Sequence, residues 1–132
     1  MNQRKWRILL VDDEASVVKM IRKRLEVEGF DVTVAMSGEE ALQKVQEARP
    51  DLIVLDLMMP GRNGFDVCAQ LKRGRASGDI PIVTVFSGKG DSNDEKRCLE
   101  LGAAAYINKS EGGSALVAQA KALLSTQSPP SA

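Results

Sequence analysis

The chain contains no histidine, and that absence removes whole classes of chemistry. Ser-His-Asp and Cys-His nucleophilic sites and HExxH metalloprotease sites are excluded. So is any phosphate relay carried on the protein's own imidazole. Carboxylate, hydroxyl, thiol and lysine remain as candidate reactive groups. Cysteine is scarce too: Cys68 and Cys98 are too few to make a zinc site alone and are expected as free thiols of a reducing compartment. Neither sign of charge is in excess, with Lys+Arg 18 against Asp+Glu 18, so net charge calls for neither nucleic acid nor an anionic membrane. No apolar run approaches the ~18 residues of a membrane span, and the first residues lack the apolar centre of a signal peptide. The expectation is a cytoplasmic protein with no membrane segment and no direct nucleic acid binding.

What is present is an ordinary globular balance, 43% hydrophobic and 27% charged over 132 residues, enough for one domain with a core. Ile8–Val11, Leu52–Leu55 and Ile82–Phe86 are short, mainly apolar and rich in β-branched residues, which predicts strands buried on both faces of a parallel sheet. Val32–Ala35 and Ala105–Ile107 are weaker strand candidates. Helical stripes lie between and after them: Val17, Val18, Ile21 and Leu25; Ala41, Leu42, Val45 and Ala48; Val67, Cys68 and Leu71; Cys98, Leu99 and Leu101; and Leu116, Val117, Ala120, Leu123 and Leu124.

The boundaries agree with this reading. Ser37-Gly38-Glu39-Glu40 and Ser92-Asn93-Asp94-Glu95 have the S-x-x-E form of a capping box. Gly29 and Gly102 stand at expected helix ends. Pro50 and Pro81 stand just before strands. Five successive β-α units predict an α/β fold with helices on both faces of a parallel sheet. Residues 6–124 are expected to form that unit, and the Ser/Pro-rich residues 125–132 a disordered tail or linker. Arg4, Lys5 and Arg7 are expected to be solvated, and Trp6 to lie at an edge or core rim.

Three aspartates fall at strand ends: Asp12 and Asp13 after the first and Asp56 after the third. In an open α/β sheet ligands bind beyond these carboxyl ends, where the strand order reverses. With the first and third strands adjacent, in the order 2-1-3-4-5, the three carboxylates converge on one crevice. Close carboxylates repel one another unless something positive binds among them, and hard oxygen ligands with room for water suit Mg²⁺. Lys109 ends the fifth strand and Ser87 the fourth. A carboxylate, a divalent cation, a lysine and a hydroxyl make a phosphoryl-transfer set. Each residue alone has a plainer reading: Asp12-Asp13 as turn or cap residues, Lys109 as a surface lysine, Ser87 as a loop hydroxyl. Asp56 is harder to read that way, because a charge closing an apolar strand is costly unless it is used.

Leu10-Val11-Asp12-Asp13-Glu14, Leu55-Asp56-Leu57-Met58-Met59-Pro60-Gly61 with Gly64, and Gly102-Ala103 leading to Tyr106-Ile107-Asn108-Lys109 resemble the motifs of the response-regulator receiver family of two-component signalling. The resemblance implies a flavodoxin-like (βα)5 domain with strand order 2-1-3-4-5. It implies that Asp56 takes a phosphoryl group from a histidine kinase or phosphotransfer protein. Mg²⁺ would be held by Asp13 and Asp56, by Asp12 through water and by the Met58 backbone carbonyl. Lys109 and Ser87 would hold phosphoryl oxygens, and Tyr106 would be a switch residue responding to Ser87. Output would pass to a downstream protein or effector domain through the surface of the fourth helix, fifth strand and fifth helix. Catalysis would be confined to self-phosphorylation from phosphodonors and autodephosphorylation.

The sequence departs from the family pattern in two places. Ser110 stands where many relatives carry a proline after a cis bond, and serine predicts a trans bond and a reshaped loop. Counting from Pro81 puts the hydroxyl position at Phe86, whereas counting from Gly102 puts it at Ser87; the loop Gly74–Asp79 can absorb the extra residue. Two other readings stay open: a receiver-like scaffold that works without phosphorylation, and a small aspartate-nucleophile phosphohydrolase. The second lacks the acid that haloacid dehalogenases carry two residues after the nucleophile, a position held here by Met58.

Overall fold

The computed structural model describes residues 4–59, 64–73, 81–88 and 92–127. Pro60-Gly61, the Gly74–Asp79 loop and Ser128-Pro129-Pro130-Ser131 lie outside the described residues. The elements are β1 (Arg7–Val11), α1 (Ala15–Val27), β2 (Asp31–Ala35), α2 (Gly38–Ala48), β3 (Leu52–Leu55), α3 (Gly64–Arg73), β4 (Ile82–Ser87), α4 (Ser92–Glu100), β5 (Ala105–Asn108) and α5 (Gly112–Ser125), with a 3₁₀ turn at Lys109–Glu111 before α5. All five strands are parallel, in the order β2-β1-β3-β4-β5.

The three apolar runs are the central strands, buried on both faces as their composition requires. Alternation then divides the core into two. Leu9, Val11, Ile53, Leu55, Val83 and Val85 pack with α2, α3 and α4. Ile8, Leu10, Leu52, Val54 and Phe86 pack with Ile21 and Leu25 of α1 and Leu116, Ala120 and Leu124 of α5. Because α1 and α2 lie on opposite faces, the strand order turns back at β1, and the crevice between the ends of β1 and β3 opens there.

Backbone punctuation follows the sequence where local chemistry dictates it. Ser37 caps α2 by accepting from the Glu40 N–H at 3.1 Å, while the Glu40 carboxylate reaches back to the Met36 N–H. Gly29 and Gly102 adopt φ of 96° and 108°. Arg49, at the end of α2 and before Pro50, is left-handed with φ 48°, the backbone turn that commonly ends a helix.

One expectation is overturned. Arg4 is not simply solvated: it forks onto Asp51 at 2.8 and 3.1 Å, and Asp51 also accepts the Arg7 N–H at 2.7 Å. This ties the segment entering β1 to the start of β3. Trp6 is partly buried against the α1/α5 core.

Candidate functional site

The ladder continues one residue past β1 and β3 and fixes the two buried aspartates. The Asp12 N–H donates to the Ala35 carbonyl at 3.1 Å, and the Asp56 N–H to the Val11 carbonyl at 3.0 Å. Asp12 and Asp56 are 1% and 3% exposed, while Asp13 is at intermediate depth. One oxygen from each of the three carboxylates lies within 4.8 Å of the others.

Lys109 crosses from the end of β5 into this cluster. Its Nζ is 2.9 Å from Asp12 Oδ2, 3.0 Å from Glu14 Oε1 and 3.2 Å from Asp56 Oδ2. The other oxygen of Asp56 accepts from Ser87 Oγ at 3.2 Å and from the Met58 N–H at 3.1 Å. The second oxygen of Asp12 accepts the Glu14 N–H at 2.9 Å. Asp13 has no hydrogen-bond or ion-pair partner among the described residues.

Charge does not balance here. Burial pushes the Asp12 pKa up; the hydrogen bonds from Lys109 and the Glu14 N–H offset this only in part, and the Asp56 charge adds to the rise. Burial opposes the charge on Lys109, but its hydrogen bonds to Asp12 and Glu14 and the fields of Asp56 and Asp12 outweigh that, so its pKa lies above the ordinary lysine value. Three carboxylates and Glu14 face one ammonium. A hard cation fits this donor set, with Asp13 still uncommitted.

The supporting residues have physical reasons. A Cβ on Gly64 would meet Leu57 Cα at 2.7 Å and the Asp56 carbonyl oxygen at 2.8 Å. The start of α3 therefore packs directly on the backbone that carries Asp56. Thr84, the other hydroxyl of β4, is fully buried and its Oγ1 has no hydrogen-bond partner among the described residues, whereas Ser87 reaches Asp56. Tyr106 lies opposite Val85 on β5 and packs half-buried on the core under α2, α3 and α4. Met58 has an exposed side chain beside the crevice.

Two features of the site escaped the sequence reading. Glu14, recognised only as part of a motif, ion-pairs with Lys109. Asn108 and Glu111 form a capping box around the 3₁₀ turn: Asn108 Oδ1 accepts from the Ser110 N–H and Glu111 from the Asn108 N–H, both at 2.9 Å. The signal was the N-x-x-E spacing. No peptide bond is cis among the described residues, so Lys109–Ser110 is trans. Here the box holds the loop that many relatives fix with proline.

The model of the response regulator receiver domain family matches residues 8–121. The chain is 46% identical over 124 residues to the DNA-binding response regulator MtrA of Mycobacterium tuberculosis, covering 94% of this chain and 53% of MtrA. It thus spans about half the length of the curated relatives it matches. Among solved structures, the beryllofluoride-activated N-terminal receiver domain of Klebsiella pneumoniae RstA is similar at 29% identity and a TM-score of 0.79, covering 88% of this chain and 96% of that one. A putative response regulator from Chloroflexus aurantiacus gives 29% identity and a TM-score of 0.85, covering 92% of this chain and 99% of that one.

Proposed function

The chain belongs to the response regulator receiver domain family, and from that premise we propose that Asp56 accepts a phosphoryl group from the phosphohistidine of a partner kinase or phosphotransfer protein. An Asp56 oxygen attacks phosphorus, the phosphorus–nitrogen bond breaks, and the imidazole leaves with the bonding pair and takes up a proton. The observation that carries this reading is the shell around Asp56. Ser87 Oγ, the Met58 N–H and Lys109 Nζ already lie at 3.1 to 3.2 Å from its carboxylate. Groups placed before reaction cost little reorganisation when charge develops there.

Mg²⁺ is the cofactor of this reading; Asp12, Asp13, Asp56 and the Met58 carbonyl are the residues that would hold it. When bound, it would supply charge neutralisation of the phosphoryl oxygens. Lys109 holds a phosphoryl oxygen, and Ser87 exchanges its bond to Asp56 for another. The loss of that bond frees the end of β4 and draws Tyr106 inward. The resulting conformation of α4, β5 and α5 controls binding of a downstream protein or effector domain. The chain's own chemistry is then limited to its phosphorylation and autodephosphorylation, in the cytoplasm. Among the described residues no helix is long and apolar enough to cross a membrane. DNA binding belongs to the name of a relative of which this chain covers 53%; for residues 6–124 protein contact is the proposed output, and Ser125, expected in the tail, instead ends α5.

The test uses acetyl phosphate, Mg²⁺ and intact-protein mass measurement. The wild type gains one phosphoryl group, and Asp56→Asn or excess chelator abolishes the gain. A gain on Asp56→Asn overturns the assignment.

A further inference from the structure

The motif residue Glu14 has no role in the account so far, yet its carboxylate, with a side chain 58% exposed, is 3.0 Å from the ammonium that crosses the crevice. We propose that Glu14 is a positioning residue for Lys109, an exchangeable partner at the rim that restrains the lysine and weakens its hold on an anion added at Asp56. This rests on the reading of Asp56 as the phosphoacceptor.

A lysine ammonium has three N–H bonds. In this structure the ammonium donates to Glu14 and Asp56 at 3.0 and 3.2 Å and pairs with Asp12 at 2.9 Å, so three carboxylates already crowd it. An oxyanion arriving on Asp56 gains a donor only if one of these contacts is given up. The three are unequal. The Asp12 and Asp56 side chains are 2% and 3% exposed, and an unpaired carboxylate at that depth is strongly unfavourable. Glu14 is wetted by solvent as soon as it is released, and an exposed ion pair of this kind is weak. The contact exchanged is therefore the one to Glu14.

The other groups facing the ammonium are accounted for. Gly88 approaches only the aliphatic stem, its would-be Cβ lying 3.6 Å from Lys109 Cδ. Lys109 is also held from behind, since the Asn108–Glu111 box fixes the backbone on either side of it. Its ammonium can move among partners while its Cα stays in place. Glu14 itself opens α1 as the residue before Ala15, with its N–H on Asp12, so it is anchored to the same site.

The measurement is the apparent affinity for beryllofluoride at fixed Mg²⁺, followed by amide NMR at Met58 and Ser87. Glu14→Gln keeps the shape and removes the charge, and should tighten binding about two- to fivefold, the range of an exposed pair. In a Lys109→Ala background the same change should have no effect, because the contact it acts through is gone. Equal tightening in both backgrounds would mean that Glu14 acts on the anion by charge alone, and would overturn the proposal. So would unchanged or weaker binding by Glu14→Gln, whatever the Lys109→Ala background gives. Wild-type protein that shows no Asp56-dependent response to beryllofluoride would instead refute the phosphoacceptor reading itself.

Discussion

At the scale of single residues, burial and hydrogen bonding separate two hydroxyls that are three positions apart on one strand. Ser87 bonds Asp56, whereas the Thr84 hydroxyl is buried with no partner among the described residues. A buried unsatisfied hydroxyl costs on the order of 1–3 kcal/mol, so Thr84→Val should stabilise the fold by roughly 1 kcal/mol in urea unfolding, with phosphorylation of Asp56 unchanged. Destabilisation by Thr84→Val would show that the hydroxyl is satisfied. Asp56 was legible in the sequence because a charge closing an apolar strand has few structural explanations. The partnership of Glu14 with Lys109 was not, because the residues are 95 apart and a single sequence carries no sign that their side chains meet. The same holds for Arg4 and Asp51, which are 47 apart.

At the scale of elements, β3 is anchored at both ends. At its start, burial raises the Asp51 pKa, but the Arg4 hydrogen bonds, the Arg7 N–H and both positive charges more than offset this and leave it below the ordinary value. A carboxylate with a depressed folded pKa adds stability that is present above its unfolded pKa, and that stability is lost as pH falls through the folded value. The stability gap between wild type and Asp51→Asn, read by urea unfolding, should therefore be full at neutral pH and close below about pH 4. Parallel pH profiles would contradict this. At the other end, the approach of α3 to the Asp56–Leu57 backbone leaves no room for a side chain at Gly64. Gly64→Ala should destabilise by about 1–3 kcal/mol and slow phosphorylation by displacing Asp56; an unchanged Tm and rate would mean that α3 yields freely. The elements themselves were readable because strand composition, caps and glycines are local signals. The 3₁₀ turn is carried in the sequence only by the Asn108-to-Glu111 spacing, a weaker signal than the proline that Ser110 replaces.

At the scale of the whole molecule, a net charge of zero conceals a concentrated acidic crevice at one edge of a sheet with a core on each face. The β4 and β5 ends carry Ser87 and Lys109 to the same crevice, and β5 also carries Tyr106 toward α4. In the proposed reading, a change at Asp56 reaches the α4-β5-α5 surface through the ends of β4 and β5. The α/β class, with helices on both faces of a parallel sheet, followed from the alternation of patterns along the chain; the strand order came from the family resemblance. The direction of signal flow followed from neither, because it depends on how two conformations differ in energy. The most direct measurement is amide hydrogen exchange on the full chain with and without Mg²⁺ and beryllofluoride, in wild type and Asp56→Asn. The account predicts altered protection at the end of β4 and across α4, β5 and the start of α5 in the wild type, and none in Asp56→Asn. Changes confined to the residues around Asp12, Asp13 and Asp56, or changes that persist in Asp56→Asn, would contradict it.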